Sequence, residues 1–166
     1  RKTVIHKIEI SKGDITYKDK GEISGYLLNQ FSLDEFDGNL RVATTTEIWT
    51  RGSGKMYNNV YVLDGDMKVI GNLEEIAPDE RIYSTRFIVD RLYMVTFKRI
   101  DPLFVIDLSA PENPEILGKL KLPGYSDYLH PYDKNHIIGI GKETADNEWG
   151  GVSVKGVKIA LFDVSD

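Results

Sequence analysis

The 166-residue sequence predicts an all-β fold of four-stranded antiparallel units, and three observations carry that prediction. Short runs rich in Val, Ile, Leu, Tyr and Thr alternate with clusters of Gly, Pro, Asn and Asp along the whole chain. No segment keeps a helical apolar period over three turns; the nearest, residues 73–80, is short, runs into Pro78 and predicts at most a single turn. The same turn landmarks also return in the same order at near-constant spacing.

In chain order, VIHKIEI (4–10) alternates, Ser11-Lys12-Gly13-Asp14 has turn composition, and residues 15–18 lead on to Gly21, which reads as a hairpin. Residues 31–36, the Asp37-Gly38-Asn39 turn and LRVATTT (40–46) read as the next strand pair. The pattern lapses over residues 47–59, a polar, glycine-bearing stretch with one Trp that predicts a long loop. Strands resume at 60–63 and 67–70 about Asp64-Gly65-Asp66. Residues 82–89 and 92–97 form a hairpin about Asp90-Arg91, and LFVIDLSAPENPEILGKLKLPGY (103–125) reads as strand, turn, strand. Residues 126–132 and 136–140 flank Asp133-Lys134-Asn135. A second predicted loop, 142–156, also carries one Trp, and VKIALF (157–162) is the last strand.

The landmarks act as a ruler. Asp37, Asp90 and Asp133 sit in turns between strands; KIEIS, YVLD, FVID and ALFD end apolar strands at Ser11, Asp64, Asp107 and Asp163; Gly21, Gly71 and Gly118 are read as closing the following strands. Successive landmarks lie 43 to 56 residues apart. A four-stranded unit of roughly 45 residues is the period of a β-propeller blade. With strands named A to D from the centre outward, residues 1–25 supply strands C and D, 26–77 and 78–124 one blade each, and 125–166 a blade without its last strand. That is about three blades, an incomplete propeller whose unpaired edges predict self-association or an open arc. A β-sandwich of hairpins is the alternative, but sandwich strands seldom repeat their turn chemistry in register.

Residues 4–46, above all LLNQFSLDEFDGNLRVATT (27–45), resemble the secreted proteins with a C-terminal β-propeller domain distantly related to WD40 repeats. Residues 103–125 resemble the repeats of that family as well. The resemblance implies a secreted or cell-surface protein of bacteria or archaea. It brings no catalytic residues, because its motifs mark blade geometry.

Composition narrows the partners. A net charge of −5 with scattered Lys and Arg argues against nucleic acid, which needs a clustered basic face. No apolar run is long enough to span a bilayer. The absence of cysteine excludes disulfides and thiolate metal sites. The start at Arg1 without a signal-peptide pattern reads as a piece cut from something longer.

Both predicted long loops join strands B and C, so they share one face of a propeller. Trp49, Arg51, Tyr57, Glu148 and Trp149 are therefore the candidate binding residues, since exposed aromatics and Arg dominate contact surfaces. The competing reading is that each Trp folds over its own loop. Glu143, Asp146 and Glu148 are the weak candidates for a cation site, with calcium the one cofactor they suggest; their spacing lacks the EF-hand pattern, and a solvated acidic loop is preferred. His6, His130 and His136 show no metal spacing. Residues 52–55 lack the full P-loop pattern, and no GxSxG occurs. The expected function is a non-catalytic binding or scaffolding module that contacts protein or glycan. The alternative is a hydrolase- or lyase-like enzyme at the channel mouth, drawing on Asn29, Gln30, Tyr125 and Asp127. It requires carboxylates or histidines from neighbouring blades to converge.

Overall fold

The computed structural model of the protein describes residues 1–50, 53–97, 101–147 and 151–165. The chain forms antiparallel meanders in which each strand pairs with the next. Strands β1 (Lys2–Ser11) and β2 (Asp14–Ser24) make a two-stranded sheet. A single 3-10 turn (Gln30–Ser32) leads into a four-stranded sheet of β3 (Leu33–Phe36), β4 (Asn39–Thr50), β5 (Ser53–Leu63) and β6 (Val69–Ile76). A second four-stranded sheet holds β7 (Arg81–Ile88), β8 (Arg91–Phe97), β9 (Asp101–Asp107) and β10 (Glu115–Leu122). The last, three-stranded sheet is β11 (Tyr125–Pro131), β12 (His136–Asp146) and β13 (Val152–Asp163). The predicted all-β architecture of four-stranded antiparallel blades is therefore the observed one.

Strand alternation stacks the sheets. In β8, Leu92 and Met94 enter a core with Ala43, Val60 and Val62 of the preceding blade. The residues between and beside them, Tyr93 and Val95, enter a core with Leu129, Ile137 and Phe162 of the following blade. Strand β9 divides in the same way, Phe104 and Ile106 to one side and Leu103 to the other. A third core joins Ile23 of the first hairpin to Val42, Tyr61 and Leu63. A strand buried on both faces needs a continuous apolar run, which explains why β8 and β9 show no polar alternation.

At the A–B and C–D end, the recurring Asp residues make local caps. The Asp64, Asp107 and Asp163 carboxylates accept from the amides of Asp66, Ser109 and Ser165, two residues on, at 2.9, 2.8 and 3.1 Å. This is the turn chemistry that lets Asp end a strand. Arginines tie neighbouring blades together here. Arg41, almost fully buried, pairs with Asp34, donates to the Val89 carbonyl of the next blade, and lies between the rings of Phe36 and Phe87 at 4.8 and 5.2 Å. Arg91 donates to the Val164 carbonyl at 3.0 Å.

Three expectations are corrected. Residues 47–59 and 142–156 are largely not loops but extended hairpins: β4 and β5 pair in unbroken register as far as Thr50↔Ser53, and β12 and β13, past a bulge between Glu143 and Thr144, as far as Asp146↔Val152. Each hairpin continues beyond the packed body of its sheet as a two-stranded ribbon, and solvent on both sides removes the apolar alternation that marks a strand. The corresponding residues of the middle blade, 98–100, lie outside the described ones. Residues 73–80 begin as strand β6 rather than a helical turn. Gly21, Gly71 and Gly118 sit inside strand D rather than at its end.

Their position has a packing cause. A Cβ on Gly21 would lie 2.7 Å from Leu63 and 2.8 Å from the Met67 carbonyl. One on Gly71 would clash with the Pro111 carbonyl and the Glu112 backbone. In both cases the C–D turn of the following blade rests on the glycine. Gly118, on the last complete blade, has open space where such a Cβ would go. Accordingly, Gly71→Ala should destabilise this chain by about 1–3 kcal/mol through overpacking. Gly118→Ala should stay within about 0.5 kcal/mol of the parent. Urea midpoints of the two variants measure the difference, and equal costs would remove this explanation of the glycines.

Candidate functional site

The meander places the B–C hairpins and the D–A crossovers at one end of every blade, opposite the Asp turns. Both ribbons therefore rise from the face onto which the inner A strands open. Gly25 and Gly124 deliver a tyrosine to this face at two blade entries. Both have left-handed φ values, 89° and 82°, and both press against strand B, where a Cβ would strike the Thr45 or Lys142 carbonyl. Only glycine combines that φ with that approach. The residues that follow are Tyr26 and Tyr125.

Tyr26 donates to Glu47 at 2.6 Å across the base of the first ribbon. Burial, and then this hydrogen bond, push its hydroxyl up to about 12. Arg1 lies over the Tyr26 ring at 5.0 Å. In the next blade Arg81 lies over Tyr83 at 5.0 Å and donates to its hydroxyl at 3.1 Å. Among the described residues no carboxylate lies within ion-pair distance of Arg81. Tyr83 belongs to a three-ring cluster with Phe97 and Tyr125, with centroids 4.6 to 5.4 Å apart. Lys142 lies over Tyr125 at 5.9 Å. Each of three successive blades thus presents a cation over a tyrosine at the mouth, against the negative charge of the whole chain.

Two depressions follow. One, of about 310 Å³, is lined by Tyr26, Leu28, Thr45, Arg81, Tyr83 and Asp127, so three blades contribute. The other, of about 300 Å³, is lined by Glu47, Trp49, Gly54, Lys55, Met56 and Asp79. The Tyr26–Glu47 hydrogen bond joins them. Both are open hollows at the small end of ligand-site volumes.

The end of β6 and the crossover after it, beside the second hollow, hold unusual backbone. Glu75, Ala77 and Asp79 all have positive φ, at 61°, 48° and 65°. Each such residue costs on the order of 1–3 kcal/mol unless its surroundings fix it. Two fully buried asparagines do so. Asn58 donates to the Ile76 and Glu80 carbonyls at 3.2 and 3.1 Å and accepts from Thr45 at 2.8 Å; Asn59 accepts from the Glu75 amide at 3.3 Å.

Of the residues singled out in the sequence, Trp49 is 79% exposed on the first ribbon. Its ring lies against the spot a side chain at Gly54 would fill, 3.0 Å from that Cβ position, so one face covers the partner strand and the other is open. Tyr57 is half-buried and, by alternation, points to the opposite side of the ribbon from Trp49, so these two do not share a surface. Arg51, Glu148 and Trp149 lie outside the described residues. Glu143 is half-exposed in β12, the Asp146 side chain and Glu148 are not described, and no three acidic or metal-ligating side chains cluster among the described residues.

Of the channel-mouth candidates, Asn29 accepts from the Phe31 amide at 2.9 Å and caps the 3-10 turn, Gln30 is exposed in that turn, Tyr125 joins the ring cluster, and Asp127 lines the first hollow. The sequence reading passed over Tyr26, Glu47, Arg81, Tyr83 and Phe97. Its usable signal was the Gly-Tyr pair shared by residues 25–26 and 124–125.

The family model described as Beta propeller domain matches residues 1–166. The chain belongs to the beta propeller domain family. A Methanocaldococcus jannaschii protein described as uncharacterized is 48% identical over 164 residues, covering 99% of this chain and 24% of that protein. An Archaeoglobus fulgidus protein described in the same way is 44% identical over 164 residues, covering 98% of this chain and 24% of its own length. The propeller chain thus spans about a quarter of the length of the curated relatives it matches. No helix among its described residues is long and apolar enough to cross a membrane.

The Tyr26 hydroxyl supplies a pH test. Its folded value near 12 exceeds the ordinary 10, so folding favours the neutral phenol. The stability it contributes is complete below pH 10 and fades as the pH rises towards 12. Near-ultraviolet titration of tyrosinate should show Tyr26→Phe losing one equivalent from the step near pH 12, with the lower step unchanged. Loss from the lower step instead would contradict the Tyr26–Glu47 assignment.

Proposed function

We propose that this propeller segment is a non-catalytic binding module of an exported or cell-surface protein, and that its ribbon-bearing face engages glycan or protein. The observation that carries the reading is the joined pair of hollows built from three blades, walled by tyrosines and flanked by a ribbon with an open Trp49 face. A rigid scaffold holding aromatic and cationic side chains at one mouth is what contact surfaces use. Export is supported by the resemblance to secreted propeller proteins. Glu47, which accepts from Tyr26, lines the second hollow with Asp79, and Asp127 lines the first.

The outer faces of the first and last sheets fit a place within a larger assembly. Val157, Ile159 and Leu161 of β13 are 79%, 72% and 62% exposed on the side equivalent to the one that β9 buries with Leu103. Further blades of the same polypeptide are the proposed cover, as the relatives are about four times the matched length. Self-association through these faces is the alternative.

The module reading is tested by removing residues 48–55 and joining Glu47 to Met56 through an Asn-Gly turn. Binding to immobilised surface polysaccharides and polypeptides should fall at least about tenfold. The melting temperature should stay within about 4 °C, since none of the described residues removed belongs to a core. Undiminished binding, or turnover of any ligand by the parent protein, would overturn it.

A further inference from the structure

Resting on the binding role proposed above, we infer that the ligand is an uncharged polysaccharide, held ring by ring on Trp49 and along the two joined hollows. Three features of the mouth select this chemistry.

The first is the balance of charge. Glu47, Asp79 and Asp127 line the two hollows against Arg81 and Lys55. The signs are interleaved, for Glu47 accepts from Tyr26 where the hollows join and its charge also acts on Arg81. A polymer with one sign of charge on every unit would meet its own sign at several of these positions, and each such encounter is repulsive. An uncharged ring meets none. Its hydroxyls donate to carboxylates and accept from a guanidinium or an ammonium, so one kind of group serves both signs. A carboxylate has about four acceptor positions, so the bond from Tyr26 leaves Glu47 able to receive others.

The second is the indole and its rim. By alternation Glu47, Trp49, Gly54 and Met56 share one side of the ribbon. Trp49 rests one ring face on the place a side chain at Gly54 would fill and leaves the other open. An aromatic face is electron-rich, and the C–H bonds of a pyranose ring carry the complementary slight positive charge. A sugar laid flat there gains dispersion contacts over its whole face. Its hydroxyls then point outward from the disc, to the rim that Glu47 and Asp79 help to form. No amino-acid side chain offers a flat aliphatic disc edged with donors on every side.

The third is that the site is already in place. The Asp79 amide donates to the Met56 carbonyl at 2.7 Å, which ties the crossover to the ribbon that carries Trp49. With Asp79 also held at a left-handed φ of 65°, the wall and the platform of the second hollow form one unit. Sugar contacts are individually weak, and a pre-formed site spares them the cost of ordering the protein. The line from Trp49 past Tyr26 to Arg81 and Asp127 runs through both hollows. Open at the side, it suits consecutive rings of a chain rather than a single enclosed one.

The test is calorimetric titration of the protein with dextran, soluble β-glucan and mannan, and with polygalacturonate and poly-lysine as charged polymers of either sign. The expected result is binding to at least one of the three neutral glycans, equal at low and high salt, and tighter than to either charged polymer. For that glycan Trp49→Ala should lose about tenfold in affinity and Asp127→Ala about fivefold, while Trp49→Phe keeps most of it. Far-ultraviolet melting should show all three variants folded like the parent. No binding of any neutral glycan, or binding unchanged in Trp49→Ala or in Asp127→Ala, overturns the inference. Tighter binding of poly-lysine or polygalacturonate that is lost on removal of residues 48–55 also overturns it while leaving the module reading intact. Glycan binding that survives that removal defeats both.

Discussion

The structure depends on one constraint: each inner strand must serve two cores at once. Leu92 and Met94 of β8 belong to one inter-blade layer, Tyr93 and Val95 to the next. A slip of one residue would exchange the two sets and ruin both layers, because the side-chain period of a strand is two. Burial on both sides also sets the energy scale. Truncating a fully buried leucine such as Leu92 costs on the order of 2–5 kcal/mol. The blades are thus mutually dependent walls rather than independent sheets. A blade at either end of the described set necessarily shows one finished face and one apolar face without cover.

Two-sided burial requires the sheets to approach closely at their outer strands, and there the glycines matter. Gly21 and Gly71 receive the C–D turn of the following blade where any Cβ would intrude. The turn itself is stiffened by its leading Asp, which accepts from an amide two residues on. Arg41 then reaches across to the Val89 carbonyl, its charge paired with Asp34 and its flat faces covered by two phenylalanines. Landmarks that repeat in the sequence are therefore parts of one device, a turn and its seat on the neighbouring blade.

That device explains how much was legible. Turn residues and two-sided apolar runs act locally, so the strands, the blade period and the pairing order could be read from composition and spacing. The ribbons could not. Neither face of the described residues 47–49 and 54–56 is buried in a core, so nothing in their sequence alternates, while Asn58 and Asn59 imitate a loop although both are fully buried. Their burial is recognisable only from the partners, the carbonyls of Ile76 and Glu80 and the amide of Glu75, which are 16 to 22 residues distant. The mouth was half visible. Gly25-Tyr26 and Gly124-Tyr125 repeat in the sequence, but the pairing of Tyr26 with Glu47, and of Tyr83 with Phe97 and Tyr125, exists only once three blades are side by side.

The two ends of the blades consequently do different physical work. At the turn end, polar groups are consumed within the scaffold: Asp with its own turn, Arg41 with Asp34 and a carbonyl, Arg91 with a carbonyl. At the mouth the scaffold spends its hydrogen bonds on shape instead. The buried Asn58 and Asn59 secure three left-handed residues at the end of β6 and in the crossover after it, and positive-φ glycines press the entry tyrosines against strand B. Such geometry adds strain without adding core. What it does achieve is a fixed position for the ring faces and for the Arg81 guanidinium over Tyr83. A fold selected only for stability would relax the crossover with glycine. Glu47, hydrogen-bonded to Tyr26 and acting electrostatically on Arg81, ties the base of the first ribbon to the entry of the next blade.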